Sequence, residues 1–424
     1  MKRTRRLAAF LIALFALGGL AACNSNPSPP APTAPPTVEY TDESSTEAHT
    51  APETEGVTET SVTDTVPSDT LPDEMITSPA EPETQPPPDE EEREELVKLR
   101  SLLSNKTQLR FDANGQFKIM MLSDLHMYGS GLLAEGMNNV KLLVEHEKPD
   151  LIILNGDNIA DETVKNEEEL RNLLKELTDY FEKKGIYWIH VYGNHDTDTE
   201  LSLLQQQRVY ESYDHCLSKG GDVRRCGVGN YVVPLYGSRD ENVKFVIWAL
   251  NSGSYLSEKD KNALFPDGKT PFPGNAAPTY DYIHASQIEW YVETSKLLQE
   301  QNGGEVVPSL MAFHIPLQET YTAWINRNGL EWTGQKGGDV GASPYNSGFF
   351  DVIRRRGDVK AIVNGHDHTN DFMVEYAGIK LCYCSTASTN PHHDASILGT
   401  RIFVIRESDP HDVETYMSYV KDLK

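Results

Sequence analysis

From Gln108 onward, short apolar runs alternate with amphipathic stretches, and that alternation restricts the chain to an α/β architecture. Phe117 to Leu122 reads as a strand and Leu132 to Glu147 as a helix. Leu151 to Leu154 is a second strand, Glu167 to Lys184 a helix with one apolar face, and Ile186 to Tyr192 a third strand. Two strand-helix-strand crossovers of this length predict neighbouring parallel strands with helices covering the sheet. Further strands are expected at Tyr231 to Pro234, Lys244 to Leu250, Ser309 to Phe313, Val359 to Val363, Phe372 to Glu375, Ile379 to Tyr383 and Arg401 to Ile405, joined mostly without long helices. The expected fold is a four-layer α/β/β/α sandwich: two mixed β-sheets packed together, with helices outside. The sequence contains no internal repeat, no Gly-Lys-Ser/Thr phosphate loop and no glycine-rich dinucleotide fingerprint.

The polar residues that end these runs carry the chemistry. Asp124 and His126 follow the first strand, Gly156 and Asp157 the second, and Gly193, Asn194, His195 and Asp196 the third. His314 follows a later strand, and Asn364, Gly365, His366, Asp367 and His368 another. One strand-terminal Asp or His is more often a turn or capping residue, because short polar side chains satisfy loop backbone. Five such clusters, each after an apolar run, deliver carboxylates, imidazoles and an amide to the strand ends where α/β sheets bind ligands. That donor set suits two first-row metal ions, with one carboxylate able to bridge them. The adjoining glycines, Gly156, Gly193 and Gly365, let the backbone turn sharply and approach the ions.

Asp124-Leu125-His126, Gly156-Asp157, Gly193-Asn194-His195-Asp196, His314 and Gly365-His366-Asp367-His368 together resemble the five ordered blocks of the calcineurin-like metallophosphoesterases, across roughly residues 110 to 406. The resemblance implies that Asp124, His126, Asp157 and His368 bind one metal and that Asp157, Asn194, His314 and His366 bind the other, with Asp157 bridging. It implies two divalent or trivalent cations, with Fe, Mn and Zn all open. The catalytic pair is expected at His195 and Asp196, His195 contacting the phosphate and able to protonate the leaving alcohol while a metal-bound hydroxide attacks phosphorus in line. The expected activity is hydrolysis of phosphate esters, monoesters in the simplest case; a phosphodiesterase acting on nucleotides, phospholipid head groups or wall polymers is the alternative. A catalytically inactive surface-binding protein is the alternative of another class. Gly227 to Tyr231, Asn346 to Gly348 and Gly365 to Phe372 are similar to the purple acid phosphatase branch. That branch carries a tyrosine iron ligand three residues after the bridging aspartate. Here Ala160 stands at that position, so the purple colour is expected to be missing.

The N-terminus reads differently. Basic Lys2, Arg3, Arg5 and Arg6 precede an apolar run from Leu7 to Ala22, the layout of a signal peptide over residues 1–22. Leu20-Ala21-Ala22-Cys23 resembles the lipobox of bacterial lipoproteins, which implies lipidation at Cys23 and a body held outside the cytoplasm at the cell membrane. Residues 23–105 are expected to be a tether rich in Pro, Thr, Ser and Glu, leaving residues 106–424 as the catalytic domain. Residues 24–100 hold 19 acidic and 3 basic side chains, so over half of the formal charge of −26 lies outside the catalytic part. With no cluster of Lys and Arg, nucleic acid is not an expected partner; phosphate esters and the membrane are.

Cys216 and Cys226 are close enough in sequence to close a short loop in an oxidising compartment. Cys382 and Cys384 read as small buried side chains in a strand. Trp188, Tyr192 and Trp248 read as core, and His190 as core or as a partner of the site. His392 and His393 fall in a loop after the last motif, where substrate contact and plain exposure are equally open.

Overall fold

Alternation along the strands decides which side chains meet across the layers. The computed structural model describes residues 90–269 and 280–424; the expected signal peptide, Cys23 and the tether up to residue 89 lie outside the described residues. Among the described residues no helix is long and apolar enough to cross a membrane.

In chain order the strands are β1 (Leu109–Arg110), β2 (Gln116–Leu122), β3 (Leu151–Asn155), β4 (Tyr187–Val191), β5 (Tyr231–Tyr236), β6 (Val243–Ala249), β7 (Ser309–Ala312), β8 (Trp332–Thr333), β9 (Val359–Asn364), β10 (Met373–Tyr376), β11 (Ile379–Tyr383), β12 (Gly399–Arg406) and β13 (Asp409–Tyr419). The helices are α1 (Glu90–Leu103), α2 (Ala134–Glu147), α3 (Glu167–Lys184), α4 (Leu203–Glu211), α5 (Val223–Cys226), α6 (Glu258–Leu264), α7 (Ala285–Gln301), α8 (Gln318–Ile325) and α9 (Phe349–Arg356).

One sheet runs β13-β12-β2-β3-β4 and the other β1-β5-β6-β7-β9-β11-β10-β8. As the crossovers predict, β2, β3 and β4 are parallel neighbours, with Ile119 opposite Leu151 and Leu151 opposite Tyr187. The antiparallel β12 makes that sheet mixed. In the larger sheet β6, β7, β9 and β11 are parallel, β5 runs against β6 but parallel to β1, and β10 runs against both β11 and β8.

Ile119, Met121, Ile153 and Val191 point inward and meet Val233, Ile247, Ala312 and Val363 of the facing sheet in one buried cluster. The alternate residues Met120, Leu122, Ile152 and Leu154 face outward and pack under α2 and α3. Val246, Trp248, Met311 and Ile362 do the same for the other sheet, beneath α7, α8 and α9. The result is the expected α/β/β/α sandwich. Strands buried on both faces read as continuous apolar runs, which is why they were legible.

α3 shows how local sequence sets an element. Asn166 caps its start by accepting from the backbone of Glu168 and Glu169, a contact worth about 1 kcal/mol. Three glutamates fill its first turn, two lysines its last, and Gly185, at φ 67°, ends it. Its apolar face, Leu170, Leu173, Leu174, Leu177 and Phe181, is buried.

Four features differ from what the sequence suggested. α7 is a 17-residue helix between strands expected to lack one. Its buried face mixes Gln287, Thr294 and Ser295 with Trp290, Tyr291 and Leu298, which blurs the apolar stripe. β13, an edge strand of 11 residues, buries little beyond Val413 and Ser418 and carries no apolar signal. α1 precedes the expected boundary at residue 106 and yet places Leu99 in the core, because Leu99, Leu102 and Leu103 form a short apolar face at the end of an acidic segment. Cys216 and Cys226 are both free thiols, so the short loop is not closed by a disulfide. Cys382, Cys384, Trp188, Tyr192 and Trp248 are buried, as read from the sequence.

Candidate metal centre

The apolar strands stop where the backbone becomes strained. Six described residues other than glycine adopt positive φ, and four of them are expected ligands: Asp124 at 54°, His126 at 45°, Asp157 at 48° and His366 at 77°. Each such residue costs about 1–3 kcal/mol, a cost that persists at sites where geometry serves function. The glycines beside them are required by close approach. A Cβ on Gly156 would lie 2.4 Å from His314 Nδ1, one on Gly193 2.2 Å from Asp157 Oδ1, and one on Gly365 1.9 Å from Ser123 Oγ.

Asp124, His126, Asp157 and His368 each bring one donor atom within 4.8 Å of the others, and Asp157, His314 and His366 form a second such group. Asp157 belongs to both. Its Oδ2 lies 3.4 Å from His126 Nε2 and 3.1 Å from His314 Nε2. Asp124 Oδ1 lies 3.4 Å from His368 Nε2 and 3.8 Å from His314 Nε2. Asn194, expected with the second group, precedes His195, whose backbone N–H donates to Asp157 Oδ1; the Asn194 Nδ2 donates to the Tyr255 hydroxyl at 3.2 Å, while its Oδ1 is buried with no hydrogen-bond partner. Six of the seven expected ligands are therefore brought together in these two groups.

The donor chemistry fits cations. His126 Nε2 and His314 Nε2 are buried without a hydrogen-bond partner, atoms whose burial is costly unless something accepts their lone pairs. The opposite ring nitrogen of His314 hydrogen-bonds the Asn155 carbonyl at 2.9 Å, and His368 Nδ1 hydrogen-bonds the His392 carbonyl at 2.7 Å. Such contacts fix the tautomer so that Nε2 faces the metal. Burial opposes charge on His314, yet without a cation Asp157 and Asp124 hold its pKa up at about 10, so positive charge at Nε2 is then supplied by a proton that a cation would replace. Two buried carboxylates call for positive charge, and among the described residues only histidines pair with them.

His195 stands at the rim, about a third exposed, its ring 4.9 Å from that of His126. Its Nδ1 lies 2.7 Å from Asp198 Oδ2, and its backbone N–H donates to Asp157 Oδ1 at 2.7 Å. Asp196, paired with it in the expected site, is fully buried; its carboxylate accepts from the backbone of Gly193, Asn158 and Ile159. Burial, aided by Asp157, raises its pKa to about 7. These bonds tie the turn that carries Asn194 to the one that carries Asp157.

Sequence reasoning missed two supports. Thr386 Oγ1, Ser388 Oγ and Asn390 Nδ2 donate in turn to the carbonyls of Asp124, Leu125 and His126, at 2.9, 2.9 and 3.1 Å. The same segment supplies the His392 carbonyl, so His392 acts through its backbone; His393 Nδ1 contacts the Pro391 carbonyl. The second support is aromatic. Tyr280 stands edge-on to His366 with ring centres 4.4 Å apart and stacks on Tyr255 at 5.5 Å. His190, by contrast, is away from the cluster, stacked on Tyr210 at 3.7 Å.

A family model described as calcineurin-like phosphoesterase matches residues 117–370, well over half the chain. The chain belongs to that family. Among curated relatives, "Probable inactive purple acid phosphatase 29" of Arabidopsis thaliana is 30% identical over 310 residues, spanning 66% of this chain and 74% of the relative. "Probable inactive purple acid phosphatase 14" of the same plant is 30% identical over 316 residues, spanning 66% and 73%. This calcineurin-like phosphoesterase is thus a distant relative of purple acid phosphatases. A solved dimetal phosphatase from Danio rerio is 13% identical, with a TM-score of 0.43, covering 71% of this chain and 98% of that one.

Proposed function

We propose that this phosphoesterase is an active hydrolase that cleaves phosphate esters, in the simplest case monoesters, using two metal ions. The observation that carries the reading is Asp157, whose one carboxylate is shared by two donor groups built from six residues. Bound cations would neutralise phosphoryl oxygens and lower the pKa of water from 15.7 to about 7. Asp124, His126, Asp157 and His368 would hold one, and Asp157, Asn194, His314 and His366 the other. His195, whose Nδ1 lies 2.7 Å from Asp198 Oδ2, would pass a proton to the departing alcohol oxygen. The overall reaction takes one water and one monoester to one alcohol and inorganic phosphate.

The names of the Arabidopsis relatives favour a second reading, a chain that binds without turnover. The intact ligand set argues against it, since loss of activity in such a fold removes ligands first. Metal content and hydrolysis of an aryl phosphate, with and without chelator, separate the two. About two metals per chain and chelator-sensitive release of phosphate are expected; a metal-loaded chain that releases none from aryl mono- or diesters would overturn the reading in favour of binding alone.

We also propose that the body sits outside the cytoplasm, held to the membrane by a lipid on Cys23. The lipobox-like Leu20-Ala21-Ala22-Cys23 supports this. A Cys23→Ser chain should leave the membrane fraction; if it fractionates as the parent does, lipid at Cys23 is not the anchor.

A further inference from the structure

Two tyrosines lead from the expected ligands toward solvent, Tyr280 packed on His366 and Tyr255 hydrogen-bonded by Asn194. Tyr280 stands perpendicular to His366 at 4.4 Å, and Tyr255 lies nearly parallel to Tyr280, at 5.5 Å and 28°. Backbone contacts fix the pair. Tyr255 and Tyr280 form an isolated antiparallel bridge, and Asp281 N donates to the Ser254 carbonyl at 3.1 Å. Gly253 allows that approach, since a Cβ there would meet Asp281 Oδ2 at 2.4 Å. The Tyr255 hydroxyl is engaged by Asn194 Nδ2, yet the residue remains 42% exposed, so much of what it offers solvent is carbon. A core aromatic is covered, as Trp188 and Trp248 are; this one is left open beside a reactive centre. Rigid, preorganised rings that expose a face are platforms for flat ligands.

We infer that Tyr255 and Tyr280 form a shelf for the leaving group, and that the preferred substrates are phosphate esters of alcohols bearing a planar aromatic ring. The inference rests on the proposed esterase reading for its chemistry, while the shelf itself is a binding feature. The phosphate meets the metal side, at Asp157 and Asn194, and the ring of the alcohol lies along Tyr255. Simple aryl alcohols and nucleosides share this chemistry.

Binding of unreactive phosphonates to the purified metal-loaded full chain, measured by calorimetry, keeps the test independent of turnover. Benzylphosphonate should bind about five- to tenfold tighter than propylphosphonate, the range expected of one aromatic contact. Tyr255→Leu and Tyr280→Leu should bring that ratio close to one, whereas Tyr255→Phe, which keeps the ring and loses the hydroxyl, should retain it. Metal content and circular dichroism of each variant separate loss of the shelf from loss of the fold. A 5′-methylenephosphonate of adenosine supplies the second arm: a larger gain than benzylphosphonate assigns the shelf to nucleotides, a smaller one to simple aryl esters. Equal affinity for benzyl- and propylphosphonate in the parent chain, no binding of either, or a ratio that survives in both leucine variants would overturn the inference. A chain that binds with the expected ratio but releases no phosphate retires the esterase reading and leaves the shelf standing.

Discussion

His190 shows what a single buried side chain does to the stability of this protein. It is wholly enclosed, stacked on Tyr210, with Nδ1 2.8 Å from Ser218 Oγ and Nε2 without a partner. Burial lowers its pKa from 6.5 to about 3. Between those values the unfolded chain binds a proton that the folded chain refuses. Stability from this residue is therefore complete above about pH 6.5 and lost as pH falls toward 3, at up to about 1.4 kcal/mol per pH unit. His190→Phe keeps a flat ring against Tyr210, and Ser218 Oγ still accepts from the backbone of residue 190 and from the Tyr231 hydroxyl. In acid titrations followed by tryptophan fluorescence, with chelator present so that metal release adds nothing, the variant should unfold at lower pH than the parent. Superimposable transitions would show that His190 is not a source of acid sensitivity. The strained ligands are the complementary case: Asp124, His126, Asp157 and His366 hold unfavourable φ angles that the surrounding structure must enforce.

At the scale of elements, part of that enforcement comes from the segment 386–392. Its alternate residues Thr386, Ser388 and Asn390 grip successive carbonyls of the Asp124-to-His126 turn. Asn390 does most, donating also to the Gly131 carbonyl and accepting from Leu133 N. Asn390→Ala should leave the fold intact and weaken metal binding about 10- to 100-fold, the usual effect of removing an outer support of a metal ligand. Titration of the stripped variant with zinc would show it, and unchanged affinity would mean the turn holds itself. This clamp also marks where sequence reading ends. The five ligand clusters were legible because each follows an apolar strand, so that position in the pattern and donor chemistry coincided. Thr386, Ser388 and Asn390 act through partners more than 250 positions away and look like ordinary loop residues. Asp196 is the opposite case: its shared motif with His195 was legible, while its burial and the engagement of its oxygens by backbone were not. Tyr255 and Tyr280 gave no signal, since their meeting depends on a pairing between two loops.

Across the whole molecule, the four layers explain why the site can be strained and yet stable. Three buried clusters, one between the sheets and one under each helical layer, fix the strand ends that carry the ligands. α1 extends the layer over the larger sheet, and its attachment is specific. Leu99 is buried there with Val232 and Trp290, and Lys219 Nζ reaches the carbonyls of Leu102 and Ser104 at the end of the helix. Burial lowers the Lys219 pKa to about 8, so this ammonium depends on those carbonyls for its solvation. A chain starting at residue 106 loses both the apolar contact and the acceptors. Burying one leucine is worth about 2–5 kcal/mol, and for a chain of this size each kcal/mol moves the melting temperature by about 2–4 °C. Removal of α1 should therefore lower the melting temperature by at least about 5 °C relative to a chain starting at residue 90, and Leu99→Ala in the longer chain should reproduce much of that loss. Equal melting of the two chains would place the folded boundary at residue 106, with α1 adding nothing to the body. A large loss on truncation with none from Leu99→Ala would move the stabilisation from the leucine to the capping of α1 by Lys219.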